Sequence, residues 1–147
     1  MNKIGLAILI LMSQVGLSQT NETLQIDPEI KKLTQGLIDN GTIYNLEYLD
    51  KIYDDNLKYI RIDPEGNINL VTKQDNMEFF KELKESGAEP LSKYAEFHYA
   101  DNDGKRGYII LTRKMKRMGV EQEFLFNIYW EKIDGDWRIL RETVFLK

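Results

Sequence analysis

The last third of the chain is the feature that most restricts its fold. From Leu91 to Leu146 the sequence is strand-like throughout, and turn signals interrupt it at Asp103-Gly104, Met118-Gly119 and Asp134-Gly135. Short turns of this kind join neighbouring antiparallel strands. The pattern therefore predicts four long strands that follow one another as a meander.

Each two-residue turn also fixes which residues stand opposite each other. The three registers pair Lys114 with Glu123, Lys116 with Glu121, and Glu131 with Arg138, and opposite charges in such pairs favour the registers. Because side chains alternate along a strand, the registers also assign faces. One face carries Tyr94, Glu96, His98, Arg113, Phe126, Trp130, Arg141, Thr143 and Phe145, and the other carries Ala95, Phe97, Asn127, Tyr129, Leu140, Glu142 and Val144.

The residues before the meander contain helix signals. Asp27-Pro28-Glu29 is a helix start, with an N-cap, a proline in the first turn and an acidic neighbour. A short helix fits Asn45 to Tyr53, and a third fits Lys73 to Lys84 after the Thr72/Asp75 capping box. Two short strands, "LKYIRID" and "INLV", lie between the second and third helices. The order predicts an α+β fold in which helices cover one side of a curled antiparallel sheet.

The N-terminus has the pattern of a secretory signal peptide. Lys3 precedes an apolar run from Ile4 to Met12, and the small residues Gly16 and Ser18 fit cleavage before Gln19. The apolar run is shorter than the roughly 20 residues of a membrane span. The sequence therefore predicts a signal peptide over 1–18, a loose lead-in over 19–26 and one domain over 27–147. An exported protein, periplasmic or extracellular, with no membrane span after cleavage is expected.

Composition excludes several classes of function. The formal net charge is −4 and the charges are spread along the chain, which argues against a nucleic-acid partner. With no cysteine and one histidine, neither disulfides nor a zinc site is expected. We predict no metal and no cofactor.

Two stretches, "YLDKIYDDNLKYIRIDPEGNI" and "DGDWRILRETV", and the order of the elements resemble the nuclear transport factor 2-like superfamily. The likeness is to its ketosteroid-isomerase-like and small exported bacterial branches, and it covers nearly all of Asp27 to Phe145. It implies a cone of curved sheet, closed by three helices around a pocket. The resemblance also implies that Arg141 and Thr143, two and four places after Ile139, point into the cone. The face that carries Arg141 is therefore the predicted inner face, and the other is the predicted outer face.

The predicted inner face and the nearby tyrosines give the candidate pocket residues. Arg141 has two interpretations: it completes an internal ion pair, for example with Glu96, or it binds an anionic ligand. His98 is either a base or a hydrogen-bonded strand residue. The full set of candidates is Tyr48, Tyr53, Tyr94, Glu96, His98, Arg113, Phe126, Trp130 and Arg141.

We predict an exported, non-enzymatic domain that binds a small apolar or anionic ligand in its cone. The alternative is a ketosteroid-isomerase-like enzyme that uses a pocket Glu or His as the base for proton transfer, dehydration or hydrolysis. No stretch reproduces the catalytic carboxylates and tyrosine of those isomerases residue by residue. Because the Asn127/Tyr129/Leu140 face is also rich in apolar residues, a homodimer through the sheet is expected.

Overall fold

The computed structural model describes residues 24–117 and 119–147. The predicted signal peptide over 1–18, its cleavage site, most of the lead-in and Met118 lie outside the described residues. Within the lead-in, Ile26 forms a bridge to Ala100 at the edge of the sheet. Part of the predicted lead-in is therefore paired with the sheet and does not lie apart from the domain predicted over 27–147.

Three helices precede or interrupt the first strands: α1 (Pro28–Gly41), α2 (Leu46–Ile52) and α3 (Lys73–Glu85). Their starts follow from the predicted caps. The Asp27 carboxylate accepts a hydrogen bond from the Ile30 amide at 2.9 Å, and Thr72 and Asp75 form a reciprocal capping box. No helix among the described residues is long and apolar enough to span a bilayer.

Six strands form one curved, unclosed sheet in the order β2-β1-β6-β5-β4-β3. Their bounds are β1 Tyr53–Ile62, β2 Ile68–Val71, β3 Ala95–Asn102, β4 Arg106–Arg117, β5 Val120–Ile133 and β6 Asp136–Leu146. The predicted α+β cone with three helices and a four-strand meander is confirmed. The sheet is mixed rather than wholly antiparallel, because β1 runs parallel to β6.

The predicted charge pairs are confirmed by the strand registers. Lys114 stands opposite Glu123 and Lys116 opposite Glu121, and Glu131 stands opposite Arg138. The turn between β5 and β6 is the predicted Asp134-Gly135 pair, with φ values of 51° and 86°. Positive φ at both positions matches the right-handed twist of the flanking strands.

Two β-bulges change the predicted faces. In β6, Tyr129 pairs with Arg141 and Trp130 with Ile139, so Leu140 is the extra residue. In β3, Phe97 pairs with Leu111 and Tyr99 with Ile110, so His98 is extra. A shift of one residue turns every following side chain to the other face.

The connection between β3 and β4 also differs from the prediction. Asn102 pairs with Gly107, and residues 103–105 lie between the two strands instead of the two residues Asp103-Gly104. The Asp103 amide closes this loop by donating to the Arg106 carbonyl at 3.1 Å. The longer loop and the His98 bulge together place Ala95 and Phe97 on the inner face, opposite Arg113 and Leu111.

The hydrophobic core lies at the closed end of the cone. Trp130, Ile139, Ile109 and Ile30 are fully buried there. Gly107 is required at this point because a Cβ atom at its position would overlap the Ile30 side chain. The close packing seals this end, and the space that remains between the helices and the sheet opens toward the β4–β5 hairpin.

Candidate functional site

A cavity of about 790 Å³ lies between α1, α3 and the inner face of the sheet. Its walls are mostly aliphatic and aromatic side chains, among them Leu37, Phe80, Leu111, Phe124, Phe126 and Val144. Ligand pockets commonly have volumes of roughly 300–1,000 Å³ and are mostly apolar with a few placed polar groups. The cavity therefore has the size and lining of a small-molecule site.

Glu142 on β6 is a buried polar group in the cavity wall. Its Oε2 accepts a hydrogen bond of 3.2 Å from the hydroxyl of Tyr53, also buried. Burial raises the pKa of Glu142 to about 7, against the opposing effects of the Tyr53 hydrogen bond and the Arg113 charge. Near neutral pH the carboxyl group is thus close to half protonated.

Tyr53 stays protonated over the same pH range. Burial, followed by the nearby Glu142 charge, raises the Tyr53 pKa well above its ordinary value of 10.0. The Tyr53 hydroxyl is therefore always a hydrogen-bond donor in this range, and the Glu142 carboxyl group accepts its hydrogen bond. The position of Tyr53 follows from the chain path, because it is the residue at which α2 ends and β1 begins.

Asn76 in the first turn of α3 completes this polar cluster. Its side chain is 4% exposed and lines the cavity. The Asn76 amide lies beside the Tyr53 hydroxyl and lowers the Tyr53 pKa, against the larger effect of burial. The contact does not have the geometry of a full hydrogen bond, and Nδ2 has no other partner among the described residues. A buried donor without an acceptor is costly, so the cavity presents an unused donor at its polar end.

Arg113 on β4 supplies a positive charge to the cavity wall. Its guanidinium donates to the carbonyl of Ser92 at 2.5 Å and, through Nε, to the carbonyl of Tyr94 at 3.4 Å. Burial lowers the Arg113 pKa, and the Glu142 charge acts in the opposite direction. An arginine remains charged in such surroundings, and the two carbonyls fix its orientation without neutralising it.

Three of the predicted pocket residues line the cavity: Tyr53, Arg113 and Phe126. Tyr48 instead packs its hydroxyl against Gly36 of α1, and Trp130 belongs to the fully buried core. Tyr94, just before β3, is 44% exposed. The structure thus brings one third of the predicted set together.

The prediction that Arg141 lies inside the cone is wrong. The Leu140 bulge turns Arg141 outward, where it is exposed, and turns Glu142 inward. The placement of Asn127 and Glu142 on the same face is wrong for the same reason, since Asn127 pairs with Thr143 and Glu142 with Ile128. Asn127 accepts from the Tyr108 hydroxyl at 3.0 Å instead.

The inner-face placement of Glu96 and His98 is also wrong. Glu96 pairs with Thr112, which puts it on the outer face. The His98 ring lies 2.7 Å from the Thr112 hydroxyl and 4.0 Å from Glu96. His98 therefore has the hydrogen bond of an ordinary strand histidine, and Glu96 forms no salt bridge with Arg113.

Sequence reasoning missed Glu142 and Asn76. Nothing in the sequence marks the Leu140 bulge, so the face of Glu142 could not be read from alternation. Asn76 could have been identified from the sequence, because it precedes Phe80 and Leu83 by four and seven residues and so shares their helical face. An amide on the apolar face of an amphipathic helix is a signal of a polar contact inside.

No protein-family model matches the chain, and no curated protein matches it in sequence. Solved structures match its fold. An NTF2-like protein from Cytophaga hutchinsonii has a TM-score of 0.63 at 16% identity, covering 83% of this chain and 100% of that one. An NTF-2 like protein of unknown function from Silicibacter pomeroyi has a TM-score of 0.63 at 12% identity, covering 80% and 92%.

A third structure, an NTF-2 like protein of unknown function from Shewanella oneidensis, has a TM-score of 0.60 at 19% identity, covering 80% of this chain and 96% of that chain. Likeness at these identities concerns the fold. The chain therefore has the nuclear transport factor 2-like fold, as the sequence resemblance implied.

Proposed function

We propose that the protein is a binding domain for a small, mainly apolar molecule held in the cavity. The observation that carries this proposal is an apolar cavity that ends in a buried polar cluster with one unused donor, Asn76 Nδ2. Apolar walls favour an apolar body through the area they remove from water. An acceptor on the ligand would remove the cost of the unpaired amide.

The polar cluster selects the chemistry at the inner end of the ligand. Asn76 offers N–H donors, while Glu142 offers either a carboxylate acceptor or, when protonated, a further O–H donor. A carbonyl or hydroxyl oxygen fits these groups, because either one can accept from Asn76. A wholly apolar molecule would leave the amide unpaired and would bind less tightly.

The test replaces the donor and keeps the branched shape of the side chain. Asn76→Leu should weaken binding of a carbonyl- or hydroxyl-bearing apolar probe by about tenfold or more, without lowering thermal stability. Gln74→Leu is the matched control, because Gln74 is an exposed amide on the same helix. Equal affinity of the Asn76 and Gln74 variants would contradict the proposal.

A second candidate, an enzyme that transfers a proton with Glu142 as base, is favoured by one observation. Glu142 has a pKa near 7 in a cavity that could hold a substrate, and such a pKa suits a general base at neutral pH. However, Tyr53 donates to Glu142 itself, so the two groups do not face different atoms of a substrate. We therefore favour binding over catalysis.

Proton exchange separates the two functions. For a catalytic base, a bound ketone would exchange the hydrogens next to its carbonyl in deuterated water, and Glu142→Gln would stop that exchange. For a binding domain, the same ketone would bind with no exchange beyond the rate in buffer. NMR spectra of the ketone, with and without protein, measure both outcomes.

Export to the periplasm or beyond the cell is proposed from the N-terminal pattern alone. Homodimer formation is proposed from the outer face of the sheet, where Ile60, Ile62 and Phe145 lie beside Ile68 and Leu70 of the edge strand. Ile68 is 72% exposed and Leu70 is 59% exposed. Exposed apolar residues in one continuous patch favour association with a partner surface, and a second copy is the proposed partner.

A further inference from the structure

The charges around the cavity differ from those of the chain as a whole. The chain has a net charge of −4, yet three cationic side chains line the cavity: Arg61, Arg113 and Lys116. The carboxyl groups that line it are Glu142 at the inner end and the exposed Glu89. A concave apolar wall concentrates the field of such charges.

The three cavity cations lie outside the close ion pairs of the described residues, although the Glu142 charge acts on Arg113. Among the described residues, none of the three forms an ion pair within 4.0 Å, whereas Lys73, Lys114 and Arg138 elsewhere do. Arg113 is held by two neutral carbonyls, and the Arg61 guanidinium lies 5.7 Å from the ring centre of Tyr59. Lys116 faces Glu121 in the strand register without reaching it.

The cations and the polar cluster lie at different depths. Glu142 pairs with Ile128, which pairs with Ile109. Arg113 pairs with Phe124, four residues farther along the strand toward the open end. Four strand residues correspond to about 13 Å between backbone positions, and the Arg113 side chain still brings its charge close enough to act on Glu142.

We propose that the ligand is an amphiphilic acid whose anionic group binds Arg113, flanked by Arg61, and whose apolar body carries an oxygen-bearing group to the Glu142–Tyr53–Asn76 cluster. This inference rests on the proposed binding function and narrows it to one chemical class. An arginine fits a carboxylate well because its planar fork can donate two parallel hydrogen bonds. Lys116 at the open end would attract the same anion over a longer range.

Dodecanoate and dodecan-1-ol are suitable probes, because they share an apolar chain and differ in the charge of the head group. We expect dodecanoate to bind the full chain about tenfold or more tightly than the alcohol, since hydrogen bonds to charged groups exceed neutral ones. The preference should fall as salt is raised, because screening acts on the charged probe. Titration calorimetry measures both affinities.

Arginine variants locate the charge that gives the preference. Arg113→Met should remove most of the preference for dodecanoate, and Arg61→Met should reduce it. Arg141→Met is the matched control, because Arg141 is exposed on the opposite face, and it should keep the preference. If Arg113→Met does not fold, the Arg61 variant and the salt dependence still show whether the cavity cations cause the preference for the acid.

Equal binding of the acid and the alcohol, or a preference unchanged in both the Arg113 and Arg61 variants, would overturn this inference and leave the proposed binding function standing. No binding of either probe, together with no binding of a neutral apolar ketone, would contradict the proposed function itself.

Discussion

Replacement of Glu142 by Gln should stabilise the protein at alkaline pH. A pKa of about 7 in the folded chain, against 4.5 for an ordinary glutamate, means that the folded state holds the proton more tightly than the unfolded state. Stability then falls as the pH rises from 4.5 to about 7, and the loss is complete above that range. At about 1.4 kcal/mol per pKa unit, the loss is at most about 3 kcal/mol.

Gln has the shape of the protonated carboxyl group and no charge to bury. At pH 8 the Glu142→Gln variant should therefore exceed the wild type by up to about 3 kcal/mol, or roughly 10 °C in melting temperature. At pH 4.5 the two proteins should be nearly equal, since Glu142 is then protonated. Thermal unfolding followed by circular dichroism at both pH values measures the difference.

The comparison with wild type removes contributions from other acids. Asp75 and Asp103, for example, have pKa values lowered by hydrogen bonds to their carboxylates, and they titrate alike in both proteins. Glu96→Gln is a suitable control, because Glu96 is exposed on the outer face. If the curves of wild type and Glu142→Gln run parallel between pH 4.5 and 8, Glu142 is not a buried acid and the description of the cavity is wrong.

Three other outcomes are expected. Gly107→Ala should lower stability by about 1–3 kcal/mol because its Cβ overlaps Ile30, whereas Gly41→Ala, with ordinary contact to Leu49, should cost less in chemical denaturation. N-terminal sequencing of the native protein should begin near Gln19, and an intact Met1 would contradict export. Sedimentation at micromolar concentration should give a dimer that Leu70→Lys weakens, and a wild-type monomer would refute the interface.

The sequence was sufficient for the fold because its strongest signals are local. The Asp27 and Thr72 caps, the helical spacing of apolar residues and the Asp134-Gly135 turn each act over a few residues. The charge pairs then fixed the β4–β5 register over its whole length. The parallel pairing of β1 with β6 joins residues far apart in sequence, and no local pattern predicts it.

The candidate site was less predictable because it depends on side-chain direction. One bulged residue, Leu140, exchanges Arg141 for Glu142 on the inner face, and another, His98, removes Glu96 from it. Alternation along a strand carries no information about an inserted residue. Arg113 and Phe126 were placed correctly since β4 and β5 pair without a break.

The most direct test of the account is native mass spectrometry of the protein purified from its own host. If the cavity holds a ligand, the wild type should carry one small molecule per chain, and its fragmentation should identify an apolar molecule with an oxygen-bearing group. Ala88→Trp, which places an indole among the residues that line the cavity, should lose that molecule and still fold. Wild-type protein of bare chain mass, or an adduct that persists equally in Ala88→Trp, would contradict the claim that the cavity is a binding site.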